Sequence, residues 1–69
     1  MSAITCTLYP ATLANGQRIV TCDDPIRLSE LGGVVQRVAE MLGTDDGVMD
    51  VRLAKDLGVR FAFCARGPR

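Results

Sequence analysis

The last third of the chain contains two runs in which apolar residues alternate with polar ones, Val48 to Ala54 and Val59 to Ala65. A period of two is typical of β-strands that bury one face. The runs are separated by Lys55-Asp56-Leu57-Gly58, and glycine suits the left-handed position that ends a short hairpin loop. The pattern therefore predicts a β-hairpin over residues 48–65.

The register of this hairpin follows from its apolar residues. It pairs Leu53 with Phe61, Val51 with Phe63 and Met49 with Ala65, all on one face. The opposite face then carries Asp50, Arg52, Arg60 and Cys64. A shift by one residue would mix the two faces, so the register is strongly specified. We expect the phenylalanines to be buried and the arginines to point toward solvent.

A second hairpin is predicted near the N-terminus. Residues 3–9 alternate, with Ile4, Cys6 and Leu8 on one face and threonines and a tyrosine on the other. Pro10 has no N–H to donate, so regular strand pairing is expected to stop or bulge there. Asn15-Gly16 is a strong turn signal because both residue types tolerate positive φ. Residues 17–22 then form the returning strand.

An amphipathic helix is predicted between the hairpins. Its apolar residues fall at helical spacing: Leu31, Val34, Val35, Val38, Met41 and Leu42. Asp24 before Pro25 is a helix-start signal and Ser29 is an alternative cap, so the start lies between Pro25 and Glu30. Gly43 predicts the C-terminal cap, followed by a turn over residues 44–47. The pair Gly32-Gly33 inside the helix suggests a close approach to the sheet or a kink.

The order of elements is therefore ββαββ. It predicts an α+β fold with two layers, in which one amphipathic helix packs on antiparallel β-hairpins. We expect residues 1–66 to form a single domain and residues 67–69 to form a frayed C-terminal tail. In a chain of 69 residues, apolar burial and conformational entropy nearly balance. Stability then depends on good local geometry, a disulfide bond or a partner subunit. Both a monomer and a homodimer are compatible with the sequence, and the strand order is left open.

The residue types of the chain offer little for catalysis. It has no histidine, the commonest general base and metal ligand. Cys6, Cys22 and Cys64 are an odd number of cysteines without a CxxC motif, and no secretory signal is evident over residues 1–8. They predict reduced thiols in a cytoplasmic protein, with a Cys6–Cys22 bridge as the alternative. Cys64 has basic neighbours at Arg60 and Arg66 but no activating base.

The acidic pairs also argue against an enzyme. Asp23-Asp24 and Asp45-Asp46 flank the predicted helix, which holds them about 25 Å apart. Two carboxylates that act on one bond must lie within about 10 Å of each other. Helix capping and turn formation explain both pairs. We therefore expect no enzymatic activity, no cofactor and no metal site, and the short apolar runs predict no membrane span.

The distribution of charge is the feature that points to a binding function. Residues 1–50 carry three arginines against seven acidic residues, a net charge of −4, and residues 51–69 carry a net charge of +4. Such a bipolar domain suits electrostatic docking on a protein partner, and arginine favours planar contacts with carboxylates. The predicted partner-binding residues are a cationic patch on the outer sheet face and an acidic edge: Arg52, Lys55, Arg60 and Arg66, and Asp23, Asp24, Glu30 and Glu40.

In its short chain from Met1, its ββαββ order and its lack of a catalytic set, the sequence resembles the small phage-encoded anti-CRISPR proteins. The resemblance implies a non-enzymatic inhibitor in the host cytoplasm. Such a protein docks on a host protein complex, for example a CRISPR effector, and blocks its DNA-binding or subunit-contact surface. The zero net charge departs from strongly acidic DNA mimics. A small nucleic-acid-binding protein that uses the arginine patch, and a subunit of an enzyme, are the alternative functions.

Overall fold

A computed structural model describes residues 5–66, which form a four-stranded antiparallel sheet with two α-helices. The strands are β1 (Tyr9–Thr12), β2 (Arg18–Cys22), β3 (Gly47–Met49) and β4 (Phe61–Ala65). The helices are α1 (Leu31–Leu42) and α2 (Val51–Leu57). The strand order is β1-β2-β4-β3, so the two halves of the chain share one sheet. The predicted α+β class is confirmed, with α2 as an additional helix; the predicted tail at 67–69 lies outside the described residues.

The N-terminal hairpin forms around the predicted turn. Gly16 has a φ of 91°, and the Asn15 side-chain oxygen accepts a hydrogen bond of 2.9 Å from the Gln17 amide. The predicted strand over residues 3–9 is wrong for residues 5–8, because β1 begins at Tyr9, while residues 3 and 4 lie outside the described residues. Pro10 lies inside β1, opposite Val20. Proline is tolerated there because β1 is an edge strand, whose outward amides need no partner in the sheet.

Helix α1 begins one residue beyond the predicted range, after a 3₁₀ turn over Leu28–Glu30. The prediction that Asp24 caps it is wrong: the Asp24 carboxylate accepts a hydrogen bond of 2.9 Å from the Thr7 amide instead. Gly43 is the predicted C-terminal cap, with a φ of 72° and its amide bonded to the Ala39 carbonyl. A Cβ on Gly32 would meet nothing within 4 Å, so close approach to the sheet does not explain this glycine.

The main core lies between α1 and one face of the sheet. Its buried members come from α1, the two central strands and the N-terminal segment: Val34, Val38, Val20, Cys22, Phe63 and Cys6. Phe61 packs against this cluster, so both phenylalanines face α1 as predicted. Leu8, Ile26, Met41 and Leu42 surround it. The apolar stripe of α1 therefore positions the helix over β2 and β4 and leaves β3 near its open side.

The second predicted hairpin is wrong in one of its strands, because Val51–Leu57 is helical. The Asp50 carboxylate caps this helix by accepting a hydrogen bond of 2.8 Å from the Leu53 amide. Gly58 ends it in the left-handed region, with a φ of 73°. Met49 pairs with Phe63 rather than with the predicted Ala65. The observed register is thus shifted by two residues, which preserves the faces of β4 and explains why its phenylalanines are still buried.

The other face of the sheet is partly covered by α2. Side chains alternate along β4, so Ala62 and Cys64 point away from the phenylalanines. Both are buried, together with Ile19 of β2 and Ala54 of α2, and α2 packs against β4. The prediction that this face is the outer, solvent-exposed face of the sheet is therefore wrong at Ala62 and Cys64. The sequence pattern missed the helix that covers this face.

The Asp50 cap predicts a measurable contribution to stability. Asp50→Ala removes the acceptor for the Leu53 amide, and loss of such a cap costs about 1 kcal/mol. We expect the free energy of unfolding in urea to fall by that amount. Asp56→Ala is the matched control, because Asp56 is an exposed carboxylate on the same helix and its removal should change stability by less than about 0.5 kcal/mol. Equal effects of the two variants would contradict the capped helix.

Candidate protein-binding surfaces

Three of the four predicted cationic residues line one shallow groove. They do not lie on a sheet face as predicted, because residues 51–57 form a helix. Arg52 and Lys55 lie three residues apart on α2, which places them on one side of the helix. Arg60 lies between α2 and β4. The groove, called here the cationic groove, measures about 620 Å³ and is lined by Val51, Arg52, Ala54, Lys55, Val59 and Arg60.

The cationic groove combines free charge with apolar surface. The ion pairs found within residues 5–66 are Arg37 with Glu40 and Arg66 with Asp46, so none of the three groove cations is neutralised by one. Val51 is 71% exposed at the same place. The guanidinium Nε of Arg60 donates a hydrogen bond of 3.0 Å to the Asp23 carbonyl, which holds this side chain in one orientation. An acidic partner would therefore meet a partly pre-organised surface.

Arg66 does not belong to this groove. Arg60 precedes β4 and Arg66 follows it, so the five residues of this strand hold the two arginines about 20 Å apart. The Arg66 guanidinium lies 3.5 Å from the Asp46 carboxylate, and its backbone amide donates to the Asp46 carbonyl. The prediction of one patch that includes Arg66 is therefore wrong. Arg66 instead joins the end of β4 to Asp46, which lies directly before β3.

The predicted acidic edge is also divided by the fold. Asp24 and Glu30 hold the N-terminal segment, because Glu30 accepts a hydrogen bond of 3.0 Å from the Thr5 hydroxyl and Asp24 binds the Thr7 amide. Glu40 lies ten residues further along the helical segment, about 15 Å from Glu30, and pairs with Arg37 at 3.6 Å. Asp23 is exposed next to Arg60. Glu40 therefore lies apart from Glu30, whereas Asp24 and Glu30 contact the same N-terminal segment.

The thiols are placed for packing rather than for nucleophilic chemistry. Cys6, Cys22 and Cys64 are all free and buried. Burial raises the pKa of the Cys64 thiol above its ordinary value, and the negative charge of Asp50 raises it further. Burial likewise raises the pKa of Cys6, with an added contribution from its hydrogen bond with Cys22. Both groups are therefore protonated near neutral pH, and a protonated thiol is a poor nucleophile.

A second depression, which sequence reasoning missed, lies between α1 and the edge strand β3. This apolar cleft measures about 230 Å³, and its lining combines one face of α1 with β3 and Phe63: Leu31, Val35, Val38, Ala39, Leu42, Thr44, Asp45, Gly47, Val48, Met49 and Phe63. Val35 is 54% exposed and Met49 is 53% exposed. The apolar stripe of α1 is evident in the sequence, but the cleft beside it depends on where α1 lies over the sheet.

Other site types find no support in the described part of the chain. Within residues 5–66, no group of three or more histidine, cysteine, aspartate or glutamate side chains is placed to hold a metal ion. Neither helix in this range is long and apolar enough to cross a membrane. No protein family, curated protein or solved structure matches this chain. The resemblance to anti-CRISPR proteins therefore stays a prediction, and the cationic groove and the apolar cleft are candidate binding surfaces of the described residues.

Proposed function

We propose that this chain is a non-enzymatic inhibitor that binds a protein complex through its cationic groove. The observation that carries the proposal is the gathering of Arg52, Lys55 and Arg60 around exposed Val51, without an ion pair for any of them in the described structure. Arginine is enriched among the few residues that dominate binding energy in protein interfaces, and an adjacent apolar contact excludes water from it. The partner surface is acidic and carries an apolar side chain that packs against Val51 and Val59.

The charge of the groove selects between two ways of blocking a nucleic-acid-dependent complex. A surface that binds DNA is itself basic, so a cationic groove would be repelled by it. An acidic subunit-contact surface would attract the groove and speed association. We propose that the chain occupies such a subunit contact in the manner of an anti-CRISPR protein, in the cytoplasm of the host. The buried free thiols fit a reducing compartment.

A nucleic-acid ligand is the second candidate, because three cations in one groove also attract phosphates. Proteins that bind single strands add exposed aromatic residues on which bases stack. Phe63 is buried and Phe61 packs on the same core, which leaves Tyr9 as the exposed aromatic side chain of residues 5–66. Tyr9 lies on β1, two strands away from β4. The aromatic platform is therefore weak, and we favour the protein partner.

Two labelled probes distinguish these ligands by fluorescence anisotropy. One is a twelve-residue peptide of alternating glutamate and leucine, and the other is a fifteen-nucleotide oligothymidine. We expect the peptide to bind more tightly, and Arg52→Glu combined with Arg60→Glu to weaken its binding at least about tenfold, since reversal of two contacts exceeds 1.4 kcal/mol.

The control is Arg37→Glu combined with Arg66→Glu, which changes the net charge equally but alters two exposed arginines outside the groove. It should bind the peptide within about twofold of the unmodified chain. Equal losses in both double variants would show that only net charge matters and would refute the groove. Tighter binding of the oligonucleotide would replace the proposed protein partner by a nucleic acid.

A further inference from the structure

The apolar cleft between α1 and β3 is not used by the cationic groove, which is lined by α2 and the segment before β4. We propose that this cleft is a second binding site, which takes one large apolar side chain from an extended, positively charged segment of a partner protein. Three properties of the described residues lead to this occupant: the volume of the cleft, the free edge of β3 and the charge at the mouth.

The volume of the cleft fits one anchoring side chain. At about 230 Å³ it is smaller than the sites that enclose drug-sized molecules, which start at about 300 Å³. An apolar cavity of about 150 Å³ is large enough to hold benzene. A phenylalanine or leucine side chain therefore fits, and most of the lining is aliphatic or aromatic. Desolvated anchors of this kind supply much of the binding energy in protein interfaces.

The edge of the sheet gives the partner an extended conformation. Among residues 5–66, β3 pairs with β4 on one side only and forms the outer strand of the order β1-β2-β4-β3. All three of its residues are exposed. A strand with an open edge can pair with a strand from another protein through backbone hydrogen bonds, while alternate side chains enter a neighbouring pocket. The cleft lies beside β3, so an added strand would bring its side chains to the opening.

The charge at the mouth favours a cationic partner. Asp45 lines both the cleft and an adjacent depression on α1, where Glu40 also lies. Among residues 5–66, the Glu40 carboxylate lies 3.6 Å from Arg37 and the Asp46 carboxylate lies 3.5 Å from Arg66, whereas Asp45 takes part in neither ion pair. A lysine or arginine beside the anchor would meet the Asp45 carboxylate. The two surfaces of the molecule therefore select partner segments of opposite charge.

The probe for this site is a seven-residue peptide with a central phenylalanine flanked by lysines, titrated into the full chain and followed by amide chemical shifts. We expect shifts in β3 and along the cleft face of α1. Replacing the phenylalanine by alanine, or the lysines by glutamates, should weaken binding at the cleft, followed by the shifts of β3 and α1, at least tenfold. Asp45→Asn should weaken binding of the lysine peptide about two- to fivefold, as for one exposed ion pair.

Ala39→Leu fills the cleft from the side of α1 and should reduce peptide binding at least tenfold. Ala11→Leu is the matched control, because it makes the same substitution at an exposed alanine of β1 that lines neither the cleft nor the cationic groove. Unchanged peptide binding by Ala39→Leu, or equally large shifts of β3 and the cleft face of α1 with the lysine and the glutamate peptides, would overturn the proposal. The peptide comparison needs no folded variant, so it decides the question even if Ala39→Leu lowers the melting temperature.

This test is independent of the one for the cationic groove. The combined Arg52→Glu and Arg60→Glu variant should bind the lysine-flanked peptide like the unmodified chain, because neither residue lines the cleft. Loss of glutamate-peptide binding with retained lysine-peptide binding would support two separate surfaces. If this variant lost binding of both peptides to the same extent, a separate site at the cleft would be contradicted.

Discussion

Val34→Asp is expected to leave the chain largely unfolded at room temperature, whereas Val35→Asp should leave it folded. Val34 is 0% exposed in the core between α1 and the sheet, and Val35 is 54% exposed. A buried carboxylate without a partner costs several kcal/mol. The total stability of a chain of this size is about 3–10 kcal/mol, so one such group removes most of it.

The two variants are matched, because they change adjacent valines of one helix to the same residue and carry the same helix-propensity cost. Far-UV circular dichroism with thermal melting distinguishes the outcomes. We expect no cooperative transition for Val34→Asp, and for Val35→Asp a melting temperature within a few degrees of the unmodified chain. Similar melting curves for the two variants would contradict the orientation of α1 and the position of the main core.

The parts of the fold that sequence reasoning predicted are those that local chemistry specifies. The turn at Asn15-Gly16 and the cap at Gly43 require positive φ, and glycine is the residue that adopts it most easily. The stripe of α1 has the period of a helix, and Val34 and Val38 are its buried members. These features depend on a few neighbouring residues and can be identified without knowledge of the tertiary structure.

Residues 51–57 show why the rest could not be predicted in the same way. Alternation over this short run favours a strand, but Asp50 before it and Gly58 after it are the start and stop signals of a helix. The hydrogen bond from the Leu53 amide to Asp50 and the left-handed Gly58 show that the segment forms the helix that these end signals favour. A seven-residue segment fits both periods, so the choice depends on its ends and on the burial of Ala54 against β4.

The candidate site, like the fold, could be predicted only in part. The sequence indicated that the cations of the last third would gather, and Arg52, Lys55 and Arg60 do so through α2 rather than through a strand. It could not indicate that Arg66 pairs with Asp46, because that contact depends on the pairing of β3 with β4. It could not indicate the apolar cleft either, since the cleft exists only because α1 sits over the central strands.

Loss of function by charge reversal in the cationic groove is the second large effect that we expect. Two arginine contacts with an acidic surface become two repulsive ones, and like charges across an interface cost several kcal/mol. A loss of about 4 kcal/mol corresponds to roughly a thousandfold weaker complex. An inhibitor weakened to that extent no longer occupies its target at ordinary cellular concentrations. The fold should persist, because both side chains are exposed and the hydrogen bond that is lost, from Arg60 to the Asp23 carbonyl, lies at the surface.

The most direct test of the proposed function is the plaquing efficiency of targeted phage on bacteria with active CRISPR immunity, across strains that carry different effector types. The unmodified chain and the combined Arg37→Glu and Arg66→Glu variant should raise plaquing by orders of magnitude in at least one strain. The combined Arg52→Glu and Arg60→Glu variant, expressed at the same level, should restore immunity. Full inhibition by that variant, or no protection of phage in any strain by the unmodified chain, would contradict an inhibitor that acts through the cationic groove.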